Sequence, residues 1–233
     1  MNLTFDQQYY LQTMGIDIFC SRNSVEVELP DIHSLPVDSG ILCNSERQTQ
    51  WDELRAQVAE CKRCDLHQDR TQTVFGIGNT DADWLIIGEA PGAEEDRQGE
   101  PFVGRAGKLL NGMLLAIGLE RKQVFIANIL KCRPPRNRDP RIEEVLACEQ
   151  YLKQQIKWIQ PKIILALGRV AAQNLLKVET PIGRMRGQCY EYPDPRLPVV
   201  VTYHPAYLLR SPREKRKSWQ DLKFAMQIYK ELK

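Results

Sequence analysis

Four short apolar runs recur along this chain, and they leave few folds open. They are Asp83-Trp-Leu-Ile-Ile-Gly88, Val124-Phe-Ile-Ala-Asn-Ile-Leu130, Lys162-Ile-Ile-Leu-Ala-Leu-Gly168 and Leu197-Pro-Val-Val-Val-Thr202. Each is almost continuously apolar, the pattern of a strand covered on both faces. Stretches of helical character separate them at residues 103–119, 141–159 and about 169–176, and residues 218–231 follow the last run. Residues 51–60, with apolar side chains at 51, 54 and 58, form a helix ahead of the first run. This alternation predicts an α/β fold, a three-layer α/β/α sandwich with a central four-stranded parallel sheet. Ligands of such sheets bind beyond the C-terminal ends of the strands. The residues with the most distinctive chemistry fall at those ends.

Ahead of that domain, residues 1–22 read as a short amphipathic element stopped by Gly15, and residues 23–48 as a polar, proline-containing linker. The organisation expected is an N-terminal segment over 1–48 and one domain over 49–233. A formal net charge of +2 excludes nothing by itself. No run approaches the length needed to cross a bilayer, and the first residues lack the basic and apolar regions of a secretory signal, so a cytoplasmic location is expected.

Seven cysteines in a reducing compartment suit metal ligation better than disulfides. Cys61 and Cys64 form a C-x-x-C, and Cys132 and Cys148 follow; charged residues flank Cys61, Cys64 and Cys132, unlike plain core cysteines. Four thiolates suit a 4Fe–4S cluster or an all-cysteine zinc site. Cys20, Cys43 and Cys189 read as ordinary thiols. The second pair frames an arginine- and proline-rich loop carrying Arg133, Arg136 and Arg138. A second basic run, from Arg210 through Lys217, follows Leu208 and Leu209. Two such clusters suit phosphates on either side of a target nucleotide, and a hydrophobic wedge beside one suits insertion into a duplex.

Other candidates sit at strand ends. Gly88-Glu-Ala-Pro-Gly-Ala-Glu-Glu-Asp96 offers close backbone approach and the carboxylates of Glu89, Glu94, Glu95 and Asp96. Phe102, between proline and glycine, either stacks on a flat ring or plugs the core. Asn128 ends the second strand, and its amide can give a donor and an acceptor to a base edge. His204 follows the fourth strand and is held by Pro205, a good place for a catalytic imidazole.

Taken in order, these segments resemble the uracil-DNA glycosylase superfamily, in its iron–sulfur family 4 branch, over residues 61–219. The resemblance implies hydrolysis of the N-glycosidic bond of deoxyuridine in DNA by a monofunctional glycosylase of base excision repair. It implies a 4Fe–4S cluster on Cys61, Cys64, Cys132 and Cys148. Phe102 would stack on an extruded uracil, Asn128 would read its edge, His204 would stabilise charge at O2, and Gly88 to Pro91, with Ala90, would line the pocket. Leu208 would fill the gap in the DNA, with Arg133, Arg136, Arg138 and Arg210 on the backbone. Water orientation falls to Glu89, with Glu95 and Asp96 as alternatives, because Ala90 and Gly92 stand where the best-known members carry Asp and Tyr. Those two positions leave a second reading, an inactive iron–sulfur DNA-binding or replication-docking protein. Residues 10–19 also resemble the peptide of the clamp-loader psi subunit that docks on the chi subunit, which implies chi as a partner for residues 1–22. Apart from such a partner, the chain is expected to act as a monomer on uracil-containing DNA.

Overall fold

The structure, a computed structural model, describes residues 39–232. The chain divides into two units, Met1–Gly40 and Ile41–Lys233. Residues 1–22, with Cys20 and their likeness to a clamp-loader peptide, lie outside the described residues.

The order of elements begins with helix α1 (Ser39–Ala59), the single turn α2 (Leu66–Asp69) and two strands, β1 (Ile77–Gly78) and β2 (Trp84–Gly88). Then come α3 (Ala93–Gln98), α4 (Arg105–Ala116), β3 (Phe125–Asn128), α5 (Ile142–Ile159), β4 (Ile163–Leu167) and α6 (Arg169–Leu176). The chain closes with α7 (Ile182–Met185), β5 (Cys189–Pro193), β6 (Arg196–Thr202), α8 (Pro205–Arg210) and α9 (Lys215–Glu231).

The four apolar runs are β2, β3, β4 and β6, and they pair in parallel in the order β3-β2-β4-β6. The expected four-stranded parallel sheet is corrected in one respect: it is a six-stranded mixed sheet, because antiparallel β1 and β5 add an edge on each side. Strand β1 is two residues long, and β5 is mostly exposed, so neither shows the continuous apolar pattern. Helix α1 also begins at Ser39, inside the stretch read as linker.

Side chains leave a strand alternately to its two faces. Leu85 and Ile87 of β2 therefore enter one core with Trp51, Leu54 and Val58 of α1, Leu152 and Ile156 of α5, and Ala172 of α6. Trp84 and Ile86 enter the other, with Leu110 and Leu114 of α4 and Leu222 and Ala225 of α9. Helices thus cover both faces, as the sandwich requires. The chain runs from β2 to β3 on one side of the sheet and then to β4 on the other side of β2. That reversal opens a crevice at the strands' C-terminal ends.

Candidate active site

A cleft of about 440 Å³ occupies that crevice. Strand register builds its floor. Gly88 and Asn128 are paired residues at the ends of β2 and β3, and the backbone N–H of Ile129 donates to the Gly88 carbonyl at 3.0 Å. A Cβ on Gly88 would stand 2.4 Å from Asn128 Oδ1 and 2.7 Å from the Phe102 ring. Glycine is therefore what lets the amide and the ring approach the same strand end. Asn128 is only 2% exposed, yet its Oδ1 has no hydrogen-bond partner. A buried acceptor without a donor costs about 1–3 kcal/mol, so this oxygen marks a place where a ligand donor fits.

Phe102 lines the cleft and packs in the core at once. Its φ of 54° is left-handed, which a bulky residue adopts only when its surroundings compel it. Three contacts do so. Arg121 donates to the carbonyls of Pro101 at 2.5 Å and Phe102 at 3.4 Å. Glu95 Oε1 accepts from the N–H groups of Val103 at 3.2 Å and Gly104 at 3.3 Å, at the start of α4. Gly107 leaves room for the Phe102 carbonyl, since a Cβ there would lie 1.7 Å from that oxygen.

His204 stands across from Phe102, with ring centroids 5.5 Å apart. Its Nδ1 accepts the Ala206 N–H at 3.2 Å, so the neutral ring carries its proton on Nε2. Burial, and then the charge of Arg210, pulls its pKa down to about 4. The ring is neutral near pH 7 and remains a donor. Gly168, at φ +94°, packs beneath it. Behind it, Asp221 accepts from Thr202 Oγ1 at 2.7 Å and from Arg186 at 2.7 and 2.9 Å. The Arg186 guanidinium lies 4.5 Å from the Tyr203 ring centre, and Tyr203 meets the cleft residue Tyr207 at 4.9 Å. This network holds the segment that carries His204, and sequence reasoning missed it. Its signal was an acid, Asp221, on the apolar face of α9.

The carboxylates separate into different roles. Glu89 lines the cleft, and burial, reinforced by the Asp139 carboxylate and opposed by Arg169, pushes its pKa up to about 7. Asp139, also unforeseen, lines the cleft and pairs with Arg169 at 2.5 Å. Glu95 lines the cleft over Gly92 while it anchors the Phe102 loop. Ala90 and Pro91 also line it. Asp96 is corrected: it is buried away from the cleft and accepts the Thr71 N–H at 3.0 and 3.2 Å. Glu94 is exposed and pairs with Arg97.

Two further expectations meet the geometry differently. Leu208 is 1% exposed and belongs to the core under α4 and α9, so it is corrected from a wedge to a core residue. Withdrawing a fully buried leucine costs about 1.5–3 kcal/mol; Leu209 beside it is half-buried. Arg138 lines the cleft, but Glu144 takes its guanidinium through two bonds of 2.9 and 2.5 Å. Arg133 donates to Asn137 at 2.8 Å. Among the described residues, Arg136 and Arg210 are exposed and have no ion pair; Arg210 lies on the cleft rim.

Cys61, Cys64, Cys132 and Cys148 line one small cavity with Arg70, Lys131 and Tyr151. Among the described residues, no group of three or more His, Cys, Asp or Glu side chains is gathered to hold a metal ion. Two donors nevertheless aim at the sulfurs. Arg70 donates to Cys132 Sγ at 3.1 Å, and the Lys131 N–H donates to Cys148 Sγ at 3.3 Å. Burial pushes the Cys148 thiol up to about 12, against the pull of the buried Lys131 ammonium. That ammonium is held by the Asn128 carbonyl at 3.1 Å and Gln155 at 2.6 Å. Cys189 is exposed and stands apart.

An aromatic face, a buried amide and a neutral imidazole thus line one crevice of an α/β sheet. Comparison with known proteins specifies the class. The model of the uracil DNA glycosylase superfamily matches residues 75–223. The type-4 uracil-DNA glycosylase of Archaeoglobus fulgidus is 47% identical over 178 residues, 74% of this chain and 89% of that protein. That of Thermotoga maritima is 42% identical over 166 residues, 71% of this chain and 86% of its own. The type-5 uracil-DNA glycosylase of Pyrobaculum aerophilum is 30% identical over 184 residues, 72% and 80% of the two. The chain belongs to the uracil DNA glycosylase superfamily.

Proposed function

We propose that this chain is a monofunctional uracil-DNA glycosylase of the type-4 kind, which releases uracil from DNA and leaves an abasic site. The observation that carries the reading is the buried, unpartnered Oδ1 of Asn128, in the cleft that Phe102 and His204 also line. Uracil has the complement: an N3–H donor flanked by two carbonyls on a flat ring. The target nucleotide leaves the stack to reach the recessed cleft. Phe102 covers one face of the base, Asn128 accepts from N3–H, and His204 Nε2–H donates to O2.

The C1′–N1 bond breaks with its electron pair leaving on the base, and negative charge grows on O2. A neutral imidazole already aimed at that oxygen stabilises the anion without first losing a proton. The sugar becomes oxocarbenium-like. Glu89, when ionised, stabilises that cation and takes a proton from the water that attacks C1′. Glu95 is the residue that positions Phe102, and Asp96 braces the Thr71 segment. Arg133, Arg136 and Arg210 meet backbone phosphates.

We assign Cys61, Cys64, Cys132 and Cys148 as ligands of a 4Fe–4S cluster. Supporting this are the shared cavity and the donors aimed at the sulfurs. Four thiolates suit such a cluster or a zinc ion, and iron and sulfide analysis of the purified protein separates the two. When bound, such a cluster supplies a covalent cross-link between the end of α1, the Cys132 loop and α5, and the loop lining the cleft starts from that link. Docking of residues 1–22 on the clamp-loader chi subunit belongs to this reading on the sequence resemblance alone; capture of chi by residues 1–30 tests it.

The test of the activity is direct. Protein purified without oxygen is mixed with a labelled oligonucleotide carrying one uracil, single-stranded or opposite G or A, then treated with alkali. Cleavage at the uracil alone is expected. Intact DNA from protein with a full complement of iron and sulfide would leave the inactive DNA-binding reading in its place.

A further inference from the structure

Trp219 is 41% exposed, the one aromatic among the large apolar side chains that stand exposed in the described residues. It lies in the second turn of α9. On a helix, residues three and four apart share a face. Arg216 and Lys215 precede Trp219 at those spacings, and Lys223 follows, its ammonium 5.7 Å from the indole centre. None of these three cations has a carboxylate partner among the described residues; Lys217, by contrast, pairs with Glu214 at 2.8 Å. The inward face of the same helix carries Ser218, Asp221, Leu222, Ala225 and Tyr229, so the cationic face is turned away from the core.

Topology places this face at the working end of the molecule. Strand β6 ends at Thr202 beside His204, and α8 carries Arg210 on the cleft rim. After one short turn, α9 starts at Lys215. Its first two turns therefore lie at the cleft end of the sheet, and Arg210 leads from the cleft to them.

An indole with cations along its edges is the chemistry of a single-strand binder: the ring stacks on an unpaired base, and the cations track the phosphates. A duplex offers phosphates but no free base face. A protein partner would seek apolar area around the indole rather than three unpaired cations. We propose that Trp219, with Lys215, Arg216 and Lys223, binds the unpaired DNA strand that flanks the target nucleotide. The proposal rests on the glycosylase reading for its substrate, and it gives that reading a strand preference.

The experiment uses the whole protein with its iron content verified. A uracil-free oligothymidylate, and a duplex of matched length, are titrated at several salt concentrations while tryptophan fluorescence is read. Trp51 and Trp84 are buried and Trp158 is half-buried against Trp51, so Trp219 is the most exposed of the four tryptophans, and W219F separates its signal from that of Trp158. Quenching by the single strand is expected in the parent and its loss in W219F. W219A should weaken single-strand binding about 5- to 150-fold, the range of one lost base stack, and leave duplex binding within about twofold. R216A and K215A should each flatten the single-strand salt slope by about 0.7. Single-strand binding by W219A equal to the parent would overturn the proposal, as would an equal loss on duplex, or a partner protein that needs Trp219 while DNA does not. The ring is at the surface, so an unchanged melting temperature confirms that W219A is folded. Excision from a uracil trinucleotide, too short to reach α9, keeps the two ideas apart. Its absence in the parent would sink the glycosylase reading; its survival in W219A separates the stripe from the chemistry.

Discussion

The pH dependence of excision is the sharpest consequence of the cleft. Glu89 is held near a pKa of about 7, chiefly by burial and then by Asp139. In the mechanism it acts as the carboxylate. At pH 7 about half of the free protein is competent, at pH 6 about one tenth and at pH 5 about one hundredth. The quantity kcat/KM for a single-stranded uracil oligonucleotide should therefore rise about tenfold per unit below pH 7 and level off by about pH 8. His204 gives no opposing limb in this range. Its folded pKa lies near 4, so it is neutral throughout and loses no proton as pH rises.

The sign of the neighbours can be checked separately. Asp139→Asn removes a like charge and leaves Arg169 without its partner. Both changes favour ionised Glu89, so the limb should move to lower pH, and the ratio of rates at pH 6 and pH 8 should rise. Arg169→Ala has the opposite sign. Glu89→Gln should remove the limb and lower the plateau about 10²- to 10⁴-fold, the usual contribution of a positioned base. Initial rates of alkali-labile strand formation, taken well below saturation, measure all three. A profile flat from pH 5 to 8, or a limb that survives in Glu89→Gln, would refute the assignment of Glu89.

Three other outcomes follow from the packing. Gly88→Ala places a methyl 2.4 Å from Asn128 Oδ1 and against the Phe102 ring, both pinned; overpacking of this kind costs about 1–3 kcal/mol, and uracil excision should fall by more than the stability loss explains, as denaturation and kinetics on one preparation would reveal. Asp221→Asn breaks a buried pair and leaves Arg186 uncompensated; a stability loss of about 3–5 kcal/mol is expected, with kcat reduced more than KM, and an unchanged kcat would remove Asp221 from the support of His204. Leu208→Ala should lower stability by about 2–5 kcal/mol as a core truncation, whereas Leu209→Ala should cost less; the reverse order in a urea titration would restore Leu208 to the surface.

What the sequence disclosed and what it withheld divide along one physical line, the range of the interactions that decide each feature. The central strands were legible because burial on both faces leaves a continuous apolar run. Strand β5 was not, because it lies at an edge with mostly exposed side chains, and its pairing with β6 is what makes it a strand. Gly88 and Asn128 could be singled out at strand ends, and register alone then brought them together. The left-handed turn at Phe102 was hidden, because Glu95 and Arg121 enforce it from other parts of the chain. Leu208 is the instructive failure. Its neighbours Leu209 and Arg210 drew the eye to the surface, yet Pro205 and Leu208, three apart on α8, are the inward positions. The arginines repeat the lesson in charge. Arg136 and Arg138 look equivalent in one basic loop, but Glu144, six residues beyond Arg138, accepts two bonds from its guanidinium. A phosphate approaching Arg138 must displace a carboxylate already held in that geometry, while at Arg136 or Arg210 it displaces only water. The strength of a basic cluster toward DNA is therefore set by its unpaired members, and the pairing is decided by the fold.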